Sequence, residues 1–221
     1  MKVTFGIISY GDDPHRTEGV ISSIMEHGPL CKEIIVVGGQ ERTVPPPPYC
    51  YYVPFNEDIK QAWITKKKNI ITKMARFKNI VYMHDYVTLT PGWDRGFDEL
   101  EPWDVCMSKI EEQDGTRHRD WVAWDDPAFG PAGRIFEKWC PPEGLPIAGS
   151  MTPVPYDYTK TQYMYVSGAY WVAKKDFMLA HPLNEDLHWG QGEDVEWSYR
   201  AREEWRYKMN INSIVRFNKA K

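Results

Sequence analysis

The sequence predicts an α/β domain built on a mostly parallel central sheet flanked by helices. Three observations carry that expectation. The runs Val3 to Ser9, Glu33 to Val37 and Asn79 to Met83 are apolar and β-branched without alternation, the pattern of strands buried on both faces. A helical apolar period lies between the first two runs, so strand, helix and strand fall within about forty residues as a right-handed βαβ unit. The length of 221 residues suits one such domain with a substantial core. No internal repeat or second domain is visible. Residues 1–221 read as one domain with two halves, 1–110 and 111–221.

Along the chain, Tyr10-Gly11-Asp12-Asp13-Pro14 ends the first strand. Arg16 to His27 then shows helical spacing through Val20, Ile21, Ile24 and Met25. The second strand stops at Gly38-Gly39. Pro45 to Pro48 read as a stiff connector, and Tyr51-Tyr52-Val53 as a short edge strand. Between Asp58 and Phe77 the apolar positions Ala62, Ile64, Ile71, Met74 and Ala75 follow a helical period. Lys66, Lys67, Lys68 and Lys73 fall on its polar side. The third buried strand ends at His84-Asp85. Gly92 to Leu100 predicts a short amphipathic helix, and Asp104 to Ile110 another strand. Residues 111–161 are rich in Pro, Gly, Asp, Trp and Arg and read as a loop-rich insertion, of a length that is usually functional. Tyr165 to Ala173 restores a strand. Helices follow around Lys175 to His181 and from about Glu193 to Trp205, and Asn210 to Phe217 predicts the last strand.

Composition narrows the function. A net charge of −4, with no basic tail or stripe, removes the electrostatic footprint of nucleic-acid binding. Met1 runs straight into the first strand and no apolar run reaches the roughly 18 residues of a membrane span, so the expectation is a soluble, cytoplasmic protein without a signal peptide. Cys31, Cys50, Cys106 and Cys140 lack C-x-x-C spacing and read as free thiols, not a zinc site. Oligomeric state is not legible. Aromatics make up 14% of the chain, including 10 Trp, enough to fill a core and still line a carbohydrate site.

In an open parallel sheet, ligands bind outside the carboxyl ends of the strands. Three such ends carry polar chemistry: Ser9-Tyr10-Gly11-Asp12, Gly38-Gly39-Gln40-Glu41 and His84-Asp85-Tyr86. The absence of G-x-x-x-x-G-K-[ST] and G-x-G-x-x-G argues against a P-loop ATPase and a dinucleotide-binding dehydrogenase. Asp85 is placed to hold a divalent cation that neutralises a departing diphosphate, with His84 assisting a softer ion such as Mn²⁺; the alternative is that Asp85 merely caps a turn. Lys67 and Lys68 can reach diphosphate oxygens, although a solvated helix face is the commoner fate of such a run. Near the C-terminus, Trp189-Gly190-Gln191-Gly192-Glu193-Asp194 leads into a helix. Glu193 or Asp194 suits a general base for an acceptor hydroxyl. A helix-start role explains the acids alone, but not the aromatic and glycines before them.

These segments resemble the family 2 type of glycosyltransferase with the GT-A fold. The resemblance spans nearly the whole chain, through the first βαβ unit, Lys67-Lys68-Asn69, Ile80 to Tyr86 with Pro91-Gly92-Trp93, Ser167-Gly168-Ala169-Tyr170, and Trp189 to Glu196. The last segment is also similar to the Trp-Gly-Gly-Glu-Asp loop of galactosyltransferases. The resemblance implies a UDP-, GDP- or dTDP-sugar donor, a glycan or other hydroxyl acceptor, Mn²⁺ or Mg²⁺, and inversion at the anomeric carbon. By position, Asp194 would be the base, Glu193 would hold the acceptor, and Trp189, Gly190 and Trp121 would line its site. Gly168 would let backbone approach the donor sugar. Ile8, Ser9, Tyr10, Gly38 and Glu41 would lie near base and ribose. His84-Asp85-Tyr86 stands where the family has Asp-x-Asp, so Asp85 is the only acid left in the motif. No histidine follows His188, where many relatives supply one to the metal. That loss favours the alternative of a non-catalytic carbohydrate- or nucleotide-binding domain. A nucleotidyltransferase would need a Gly-rich basic loop that Tyr10-Gly11-Asp12-Asp13 does not supply.

Overall fold

The structure, a computed structural model, describes residues 1–10, 13–38, 47–124, 126–128, 137–139, 149–188 and 190–219. Glu41, Trp189 and Cys140 lie outside the described residues. Strand β1 (Val3–Ile8) leads through helix α1 (Pro14–His27) into β2 (Lys32–Val37), and β3 (Cys50–Val53) follows. Helix α2 (Ile64–Met74) precedes β4 (Asn79–His84) and β5 (Val87–Leu89). Next come β6 (Val105–Glu112), β7 (Val122–Trp124), β8 (Glu137–Trp139), β9 (Gly149–Pro153), β10 (Met164–Tyr165) and β11 (Tyr170–Lys174). Helices α3 (Lys175–Ala180) and α4 (Glu193–Ala201) and strand β12 (Tyr207–Phe217) complete the order.

The main sheet runs β3-β2-β1-β4-β11-β6-β12-β5. β1 pairs in parallel with β2 and β4, in a register that sets Ile8 beside both Val37 and His84. β11 runs antiparallel to β4, and β12 runs parallel to β6. One edge of the sheet therefore collects the carboxyl ends of β1, β2, β4, β6 and β12 with the start of β11. Every residue of β1 and β4 is buried, as their unbroken apolar runs predict. α1 starts where Asp13 accepts a hydrogen bond from the His15 amide at 3.0 Å, with Pro14 in the first turn. Trp93, Trp103, Trp171 and Trp197 are fully buried, so much of the tryptophan content serves the core.

Several expectations are corrected. Lys67 and Lys68 are wholly buried, not solvated, because their ammonium groups reach oxygen acceptors inside the fold, whereas Met74 is exposed. The predicted helix at Gly92 to Leu100 is a series of turns. Gly96 there has φ +85, which a right-handed helix does not accept, and Trp93 and Phe97 anchor the turns in the core. Within 111–161, β7, β8 and β9 join β10 in a second, antiparallel sheet of order β10-β7-β9-β8. Short strands in a Pro- and Gly-rich stretch leave little periodicity to read. The single strand expected over Tyr165 to Ala173 is split between the two sheets. α4 ends at Ala201, before Trp205. Among the described residues no helix is long and apolar enough to cross a membrane.

Candidate active-site cleft

A cleft of about 540 Å³ opens at the strand-end edge of the main sheet. Tyr10 after β1, and His84 and Tyr86 at β4, line it together with Gly168, Glu193 and Asp194. The chain reaches this arrangement through Gly192, whose left-handed backbone (φ +66, ψ 50) turns directly into α4. The first turn of α4 then presents Glu193 and Asp194 where the helix dipole favours negative charge.

Asp194 is held from both sides. Its Oδ2 accepts from the Gly168 amide at 2.9 Å and its Oδ1 from the Val195 amide at 2.9 Å. Burial pushes its carboxyl up to about 6, and the neighbouring Glu193 charge adds to the rise; Lys68 and the two amides oppose it. A carboxylate poised there suits proton abstraction near neutral pH. Gly168 has no room for a side chain: a Cβ would lie 2.8 Å from Asp194 Oδ2 and 3.2 Å from Glu193 Oε1. The acidic pair thus closes the space beside Gly168 to any side chain.

Lys68 ties this pair to the sheet. Its Nζ donates to the Gly168 carbonyl at 3.1 Å and to Glu193 Oε1 at 3.4 Å, 4.1 Å above the Trp171 ring. Burial lowers its pKa, and Glu193 and Asp194 oppose that shift. Lys67 serves the other wall: its Nζ donates to the Ser9 carbonyl at 2.8 Å and pairs with Glu57. Neither lysine lines the cleft, and both are engaged by oxygen acceptors within the fold.

His84 lines the cleft and stacks on Tyr86 with ring centroids 5.1 Å apart. Burial holds its imidazole well below the usual range, and the charges of Lys68, Lys219 and Lys67 push the same way, against a backbone hydrogen bond with Gly168. Its Nδ1 is buried without a hydrogen-bond partner. Asp85 turns aside: it is 1% exposed, and its Oδ2 accepts from Ser9 Oγ at 2.7 Å, itself 3.2 Å from Thr17 Oγ1. Among the described residues no three His, Cys, Asp or Glu side chains gather to hold a cation. Asp85, the one carboxylate of the segment, is engaged by Ser9 and does not line the cleft, so it and His84 are a poor fit even to a divalent ion that takes its other ligands from phosphate and water.

Other expected residues fall elsewhere. Ile8 is core, fully buried between β2 and β4. Gly38 packs against Ser9, where an added Cβ would come within 2.1 Å of the Ser9 carbonyl oxygen. Trp121 does not line the cleft. It is buried against Tyr207, ring centroids 4.7 Å apart, and its Nε1 donates to the Tyr158 carbonyl at 3.3 Å, because β7 turns it toward a separate pocket at the start of β12. Gly190 does line the cleft, as do residues the sequence reading missed: Arg16, His118, Phe217 and Lys219. Arg119, in the stretch 111–161, lines it too. The missing signal was topological. Only the parallel pairing of β12 with β6 shows that Phe217 and Lys219 emerge beside His84.

No protein-family model matches the chain, and no curated protein matches it by sequence. Solved structures do. The chain is similar to S. aureus TarS 1–349 at 12% identity and TM-score 0.59, over 100% of this chain and 59% of that one. It is similar to S. aureus TarS at 12% identity and TM-score 0.63, over 99% of this chain and 37% of that one. A third match is TarS 1–349 in complex with UDP-GlcNAc, at 12% identity and TM-score 0.65, over 100% and 59% of the two chains. The chain thus spans about three-fifths of TarS 1–349 and little more than a third of TarS. What the likeness establishes is the fold, a GT-A-like arrangement of a large, mostly parallel sheet flanked by helices.

Proposed function

We propose that the protein transfers a sugar from a nucleoside-diphosphate donor to a hydroxyl acceptor, with Asp194 as general base and inversion at the anomeric carbon. The observation that carries this reading is the meeting of Tyr10, His84, Gly168, Glu193 and Asp194 in one cleft at the strand ends. The GT-A-like fold and the UDP-GlcNAc held by a TarS structure support a nucleotide-sugar donor. In the reaction, the acceptor oxygen bonds to the anomeric carbon as its proton passes to the Asp194 carboxylate. The bond from that carbon to the donor phosphate breaks, and its electron pair leaves with the nucleoside diphosphate. Glu193, steadied by Lys68, is placed to orient the acceptor. Because Asp85 and His84 do not form a convincing ion site, no step is assigned to a metal.

The test is a thermal-shift screen of UDP-, GDP- and dTDP-sugars, followed by turnover of the stabilising donor. Asp194→Asn should retain donor binding and lose transfer; retained turnover rules out this base. A second reading, a binding domain without catalysis, draws support from the poor ion site among the described residues. It predicts donor binding with neither transfer nor donor hydrolysis in the unaltered protein.

A further inference from the structure

The motif that should hold a metal has been rebuilt with other chemistry. Tyr86 stands where an acid is expected, packed on His84, and the Nζ of Lys219 lies 5.5 Å from the centre of the Tyr86 ring. Asp85, the remaining acid, is buried and committed to Ser9, and is absent from the cleft wall. Arg119, in the connection after β6, and Arg16, in the first turns of α1, line the same cleft as Lys219. The acidic groups lining it, Glu193 and Asp194, come from α4; Glu193 pairs with Lys68 at 3.4 Å, and Arg16 Nε pairs with Asp13 at 3.3 Å. A dication beside His84 would meet the ammonium charges of Lys68, Lys219 and Lys67, with Asp85 already engaged by Ser9.

We propose that the diphosphate of the donor is held by this chain's own cations, Lys219 with Arg119 and Arg16, at the place where Asp-x-Asp would hold a divalent metal. The proposal rests on the donor reading above and adds the groups that receive the leaving group. A phosphate oxygen gains the electron pair of the broken glycosidic bond, and a cation within hydrogen-bond reach stabilises that charge as it forms. His84 and Tyr86 supply a stacked floor that carries no negative charge of its own. The conjunction is what points to an anion: a cation over an aromatic where a carboxylate would stand, and two guanidinium groups lining the same cleft.

The experiment titrates UDP and, separately, inorganic pyrophosphate into the full chain in EDTA, and then with Mn²⁺. Both ligands should bind in EDTA, with no gain from Mn²⁺ and with affinity falling as salt is added. Lys219→Met should weaken both by about tenfold or more, while Lys219→Arg retains binding. Lys219 is exposed, so the variants should fold, and an unchanged melting temperature checks it. Binding that appears only with Mn²⁺, or a Lys219→Met protein that binds as the parent does, overturns the proposal. Pyrophosphate and UDP behaving as expected, with no sugar transferred from any donor, would leave the diphosphate site standing and remove the transfer reading.

Discussion

Replacing Asp194 with Asn should change how stability depends on pH, by an amount the site itself sets. A carboxyl moved from its usual 3.8 to about 6 corresponds to about 3 kcal/mol between its two protonation states. The folded protein holds that proton more tightly than the unfolded chain does. The contribution is therefore fully present below about pH 4 and is lost as pH rises through about 6. The amide of the variant has no such proton to gain or lose. It does leave one of the Gly168 and Val195 amides without its acceptor, but that loss is the same at every pH. The difference in stability between parent and variant should thus move by about 2–3 kcal/mol from pH 4 to pH 7, in the variant's favour as pH rises. For a chain of this size that is about 5–10 °C in relative melting temperature. Paired melting curves across pH 4 to 7 read it directly. In the parent, kcat/KM should fall on an acid limb near pH 6, with about a tenth of the base ionised at pH 5. A flat stability difference, or transfer undiminished at pH 5, would refute the raised carboxyl and the role built on it.

Lys68→Met should leave Glu193 without its buried ammonium and cost about 3–5 kcal/mol in denaturant unfolding. With an opposing cation gone, the acid limb of kcat/KM should also move to higher pH, and a downward move would contradict the assigned electrostatics. Gly168→Ala drives a methyl group into the acidic pair, so transfer should drop at least about tenfold while circular dichroism stays unchanged. Ser9→Ala removes the hydroxyl from buried Asp85 and should destabilise by about 1–3 kcal/mol, measured by urea unfolding; an unaltered midpoint would mean Asp85 is held by other groups.

The fold is legible where burial is uniform. β1, β2 and β4 carry unbroken apolar runs, and such runs have few solutions other than an interior parallel strand. The acidic entrance to α4 is legible too, because paired carboxylates behind a left-handed glycine are a local pattern. What stays hidden needs long-range knowledge. Lys67 and Lys68 look solvated until Ser9, Glu57 and Glu193, from distant parts of the chain, come round to receive them. Trp121 looks like a sugar platform, but it stands just before β7, where its carbonyl accepts from the distant Val154 amide and its ring packs on Tyr207. Lys219 carries no signal at all, since one lysine after a strand says nothing until that strand's neighbour is known.

The course of β12 bears on how the protein should be handled. Its exit places Phe217 and Lys219 on the cleft itself, so a group attached at Lys219 would stand at the opening. A purification handle there, above all an oligohistidine that can carry its own metal, would crowd the opening and confound assays with Mn²⁺ or EDTA. The same position suits a small fluorophore, whose emission would report a ligand entering the cleft.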